Sequence, residues 1–122
     1  MQLIKSLIKT SEKHIKVAKM LEINNITKET VFVMYYESLR EIMEAMAMKD
    51  GYKVYSHEAF TFYIKEKYSG LIADKFDRYR KLRNGVNYYG KELSIDDVKF
   101  SIEEINKIIK ELKEKHLKGI EK

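Results

Sequence analysis

A chain of 122 residues with 24 basic and 19 acidic side chains, net charge +5, can bury the core of one domain without staples. It has no cysteine, which excludes disulfides and thiolate metal sites and fits a reducing compartment such as the cytoplasm. No apolar run reaches the length of a membrane span, and the N-terminal MQLIKSLIKTSEKH reads as an amphipathic helix, not a signal peptide.

The spacing predicts a first helix over residues 2–23. Ile4, Ile8, Ser11, Ile15 and Ala18 step by four and three, and Lys5, Lys9, Lys13, Lys16 and Lys19 fill the outside. His14 reads as a partly exposed surface histidine. Asn24 and Asn25 tolerate turn conformations and end the helix; Thr27 is the expected N-cap of the next. That second helix runs over about residues 28–49. Phe32, Tyr35, Leu39, Ile42 and Met46 form its stripe, and Val31, Met34, Met43 and Ala45 broaden it, the pattern of a central helix with several neighbours. Glu37 and Arg40, one turn apart, read as an ordinary ion pair.

Asp50-Gly51 stops this helix, with glycine where a left-handed cap is expected. Residues 52–55 form a connector. Ser56 caps a third, shorter helix from His57 to about Tyr68, with Phe60, Tyr63, Ile64 and Tyr68 on one face. Ser69-Gly70 breaks the chain, and a fourth helix follows from Leu71 to about Tyr89. Gly85 inside it predicts a close approach or a local kink. Ser94 and Asp97 read as a capping box for a fifth helix, which reaches about Leu117 with Val98, Ile102, Ile105, Ile109 and Leu112 inward. The tail, Lys118 to Lys122, is expected to fray. Five helices, short connections and no strand pattern predict an all-α fold, a five-helix up-and-down antiparallel bundle in a single domain.

The fourth helix carries the chemistry. Between Lys75 and Lys91 stand six basic residues (Lys75, Arg78, Arg80, Lys81, Arg83 and Lys91) against one acid, Asp77, a net +5 that equals the charge of the whole chain. The same stretch holds Asn84, Asn87, Tyr79, Tyr88 and Tyr89, groups that hydrogen-bond phosphate or stack on bases. An apolar ladder of Ile72, Phe76, Tyr79, Leu82, Val86 and Tyr89 sets it on the core, with Arg83 at the flank of the ladder. The plain alternative is a solvated basic face with i,i+3 and i,i+4 pairs such as Asp77–Lys81. A glycine-rich phosphate loop, zinc spacing and a serine hydrolase elbow are all missing, and His14, His57 and His116 lack ligand spacing. No metal and no cofactor are therefore expected. A metal-free ribonuclease needs a base near its phosphate-binding arginine, and the five residues after Arg83 include no histidine.

Two stretches together resemble the HEPN family (higher eukaryote and prokaryote nucleotide-binding domains). Residues 31–60, VFVMYYESLREIMEAMAMKDGYKVYSHEAF, resemble the family's long second helix, glycine turn and Ser-His entry to the third helix. Residues 78–93, RYRKLRNGVNYYGKEL, resemble its fourth-helix motif. The likeness covers about residues 11–117. It implies a helical bundle that forms a homodimer, with the two fourth-helix motifs facing a shared cleft. It also implies, for many members, metal-independent ribonuclease activity and a minimal nucleotidyltransferase as the partner in a toxin–antitoxin pair.

Carried over by position, Arg83 matches the motif arginine and Asn84 the polar residue after it. Tyr88 stands at the earliest place for the motif histidine, and Tyr89 and Gly90 occupy the later ones. The chain thus resembles a branch that keeps the cleft and lacks the base. The expected function is binding of nucleotide, RNA or a nucleotidyltransferase partner through Arg78, Arg80, Lys81, Arg83, Asn84, Asn87, Tyr88, Tyr89 and His57. One alternative is a ribonuclease in which Arg83 and Asn84 act with Tyr88 or His57. Another is a structural dimeric bundle.

Overall fold

The computed structural model describes residues 2–52 and 56–120, with residues 57 and 58 described by their backbone alone. Five helices appear in the predicted order: α1 (Gln2–Lys19), α2 (Lys28–Lys49), α3 (His57–Lys67), α4 (Gly70–Tyr89) and α5 (Ile95–His116). Among the described residues there is no strand, and the fold is an all-α five-helix bundle. No described helix is long and apolar enough to cross a membrane.

Helix α2 is the hub because its buried surface is wider than one face. Phe32, Tyr36, Leu39, Ile42, Met43 and Met46 form one fully buried face, and Val31, Ser38, Glu41 and Ala45 extend the buried surface round the helix. It packs against each of the other four helices. Each side chain of the fully buried face contributes about 1.5–3 kcal/mol of burial, so this one helix dominates the core. Helix α4 runs back along α2 in the opposite sense. Tyr36 stacks on Phe76 with centroids 5.5 Å apart, and Phe32 meets Tyr79 one turn away at 6.1 Å. Phe60 brings α3 onto the same layer, edge-on to Phe76. Helix α5 lies alongside α2 in the same direction: the Leu93 N–H donates to Glu29 at one end, and Lys49 donates to the His116 carbonyl at the other.

Helices α1 and α2 meet through small residues. The Ser11 hydroxyl donates to the Ser38 carbonyl and the Ser38 hydroxyl to the Ser11 carbonyl, each at 3.0 Å. Both serines are buried, so the two backbones lie close with their polar groups satisfied.

Capping follows the sequence at Ser56 and Ser94, and Ser69, read there only as a break, caps α4 as well. Ser56, Ser69 and Ser94 accept from the N–H groups of Ala59, Ile72 and Asp97. Gly51 and Gly90 take the positive φ angles that end α2 and α4, at 84° and 64°.

The first connection differs from expectation. α1 ends at Lys19, not near residue 23, and Thr27 makes no capping bond. Its hydroxyl instead donates to the Glu22 carbonyl, while Asn24 Oδ1 accepts from the Ile26 and Thr27 N–H groups. These local bonds compete with the helix and close the loop first. The tail differs too: Leu117 and Ile120 are buried in the core, so fraying is not seen through residue 120. Of the predicted connector, residues 53–55 lie outside the described residues, as do Glu121 and Lys122 of the tail.

Candidate functional site on α4

The apolar ladder of α4 is buried at Ile72, Phe76 and Tyr79, half-buried at Leu82 and Val86, and emerges into solvent at Tyr89, which is 84% exposed. Beyond Val86 the ladder is uncovered, because the chain reverses at Gly90. The Gly90 and Lys91 N–H groups both return to the Gly85 carbonyl. Gly85 is therefore a place of close approach: a Cβ there would stand 3.1 Å from Lys91 Cδ.

Arg83, Asn84 and Tyr88 come together at this end. Arg83 Nη1 lies 3.2 Å from Asn84 Oδ1 and 3.5 Å from the Tyr88 hydroxyl. The guanidinium sits between two rings, 5.9 Å from the centroid of Tyr36 on α2 and 5.8 Å from that of Tyr88. Its Nη2 lies 3.4 Å from Glu37 Oε1. Glu37 in turn accepts from Arg40 Nε at 3.0 Å, and Arg40 Nη1 reaches Glu44 at 2.8 Å. Two arginines and two glutamates thus alternate along one chain of contacts, and their charges cancel. Arg83 Nε is buried and makes no hydrogen bond among the described residues. The phenol of Tyr36, beneath the arginine, is pushed up by burial and by Glu37, with Arg83 and Arg40 opposing.

The other basic residues go elsewhere. Arg80 bonds Asp77 through Nε and Nη2, at 3.0 and 2.7 Å, and Lys81 reaches the other oxygen at 3.1 Å. The Arg80 hydrogen bond, aided by Lys81, holds the Asp77 carboxyl below its ordinary value against the effect of burial. Arg78 turns to α5, where it meets Glu104 at 2.6 Å and lies over the Tyr79 ring. Lys75 joins the same carboxylate at 3.2 Å, and the Tyr79 hydroxyl donates to it. Burial and Glu104 push Tyr79 up to about 12.

The predicted set is therefore divided. Arg83, Asn84 and Tyr88 form one group, whereas Arg80 and Lys81 share Asp77 and Arg78 is held by Glu104 on α5. Asn87 and Tyr89 are exposed near the first group, and the His57 side chain lies outside the described residues. The window that reads as +5 in sequence is reduced to +3 in space, because Glu37 and Glu104 come to it from α2 and α5.

Three groupings went unread in the sequence. His14 Nδ1 lies 2.7 Å from Oε1 of Glu41, a carboxylate only 5% exposed, so this histidine is tied to a buried acid and is not a plain surface residue. Tyr36 supports Arg83 from below. Asp50 accepts from both Tyr63 and Tyr68, beside the His116 ring. The acid on an otherwise apolar stretch of α2 was the one available signal for the first of these. Among the described residues, no group of three or more His, Asp or Glu side chains is placed to hold a metal ion.

The fold and site together define an all-α bundle with an arginine–asparagine–tyrosine cluster at one helix end. No protein-family model matches the chain, and no curated protein shows significant similarity to it.

Proposed function

We propose that this chain is a HEPN-like binding module that takes single-stranded RNA or a nucleotide at the C-terminal end of α4 and leaves it intact. The observation that carries the reading is the placement of Tyr88: it is 67% exposed while a guanidinium paired with α2 lies over its ring, 5.8 Å from the centroid. A base stacked on Tyr88 or Tyr89 would find the amides of Asn84 and Asn87 beside it. Because Glu37 neutralises Arg83, recognition here draws on stacking and amide hydrogen bonds more than on phosphate attraction. Each stacked base contributes about 1–3 kcal/mol. The same reading includes a homodimer with its α4 ends facing one cleft, a minimal nucleotidyltransferase as protein partner, and a cytoplasmic location.

The test is incubation of the purified protein with labelled single-stranded RNA in EDTA, following anisotropy and RNA length together. The expected result is intact, bound RNA, with affinity reduced about tenfold in Tyr88→Ala and in Arg83→Ala. Cleavage that requires Arg83 would replace this reading with the ribonuclease. Binding indifferent to both changes would remove the α4 site.

A further inference from the structure

A large groove lies away from the α4 cluster. Ile15 and Lys19 of α1 and Asn106, Ile109, Lys110, Lys113 and Glu114 of α5 line a space of about 910 Å3 together with Lys118. Ile15 and Ile109 are its apolar side chains, and its four lysines outnumber its one acid.

The groove carries a cationic surplus, four lysines against Glu114. Helix α1 carries five lysines against one acid, and residues 106–118 carry five lysines against two acids. Their surpluses of +4 and +3 exceed the +5 of the whole chain, so the remainder is net −2. The cations of α4 are mostly bound by carboxylates. Here Lys113 is bound by Glu12 of α1 at 3.1 Å, and Lys107 and Lys115, outside the groove lining, pair with Glu103 and Glu111. Lys16, Lys19, Lys110 and Lys118 form no ion pair among the described residues. Like charges in surplus over acids cost the folded chain a little self-repulsion and raise the local potential.

We propose that the α1–α5 groove docks an acidic amphipathic helix of a partner protein. Its apolar face would rest on Ile15 and Ile109, and its carboxylates would meet Lys19, Lys110 and Lys118. The chemistry of the lining favours a peptide over nucleic acid. It contains no arginine to fork onto phosphate and no aromatic ring to stack on a base. Apolar side chains among cations are the complement of a helix with leucines on one face and glutamates beside them.

The probe is a labelled five-turn peptide with leucines at helical spacing and glutamates at the other positions, followed by anisotropy against the full chain. Saturable binding is expected, weakened about tenfold or more in Lys19→Glu/Lys110→Glu and unchanged in Arg83→Ala. Both lysines are exposed, so the double variant should melt like the parent, which a circular dichroism scan checks. Absence of saturable binding, or binding indifferent to the double reversal, overturns the proposal. So does displacement of the peptide by single-stranded RNA or by phosphatidylglycerol vesicles, which would assign the groove to a nucleic acid or a lipid surface.

Discussion

Arg83 on α4 and Glu37 on α2 are joined by an ion pair of 3.4 Å, and Glu37 also holds Arg40. One carboxylate thus fixes the position of the site arginine and cancels its charge. Removing the carboxylate's charge should free Arg83 to meet a phosphate. We expect Glu37→Gln to bind single-stranded RNA more tightly than the parent, with the slope of log affinity against log salt steeper by about one. Stability should change by less than about 1 kcal/mol, since the pair is partly exposed and Arg40 keeps Glu44. Anisotropy titrations at several salt concentrations check this; an unchanged slope would mean that Arg83 never meets phosphate.

Glu41 gives the protein a pH dependence of definite sign. Burial raises its carboxyl above the ordinary glutamate value of 4.5, opposed by the His14 hydrogen bond and by Arg40, with Glu37 adding to the rise. A raised value means that the folded chain binds this proton more readily than the unfolded chain. The associated stability is complete below the unfolded value and is lost as pH rises through the folded one. Glu41→Gln removes the titration and keeps an oxygen for His14. Measured as Tm from about pH 4 upward, the parent should lose stability relative to Glu41→Gln as pH rises. Parallel curves would show that His14 and Arg40 offset burial in full.

The serine pair at the α1–α2 crossing tests close packing. Ser38→Ala removes one hydroxyl from a buried reciprocal bond and should cost about 1 kcal/mol. Ser38→Leu must push the backbones apart and should cost about 1–3 kcal/mol more. Urea denaturation measures both, and a leucine variant as stable as the alanine one would contradict the packing described.

Gly85 offers a change in the opposite direction. It sits inside α4 with helical backbone, where glycine is about 1 kcal/mol less favourable than alanine. An added Cβ meets only the side chain of Lys91, which is exposed and can move by the few tenths of an ångström required. Gly85→Ala should therefore stabilise the protein by about 0.5–1 kcal/mol and leave RNA binding in place. A loss of stability would show that Lys91 is fixed more firmly than its exposure implies.

The sequence by itself determined the helices. Their apolar steps of three and four are local, as are the caps at Ser56 and Ser94 and the glycine stops at Gly51 and Gly90, so these were legible before any packing was known. The breadth of the apolar surface on α2 likewise marked it as the hub. The loop at 20–27 was misjudged because Asn24 and Thr27 bond each other's backbone, a choice between two local patterns of similar strength.

The site was legible only in part. Asn84 and Tyr88 are i,i+4 neighbours on one helix and legible from spacing, whereas Arg83 reaches both only through the direction its long side chain takes. That Glu37 neutralises Arg83, that Glu104 takes Arg78, and that His14 finds Glu41 depends on the rotation and register of one helix against another. Those are set by how the rings of Phe32, Tyr36, Phe76 and Tyr79 interlock between α2 and α4, and by how closely Ser11 and Ser38 let α1 approach α2. Charges counted along a chain say nothing about which acid faces which base across a core, so only the tertiary structure decided that the α4 cations are held by carboxylates while Lys19, Lys110 and Lys118 line a groove of their own.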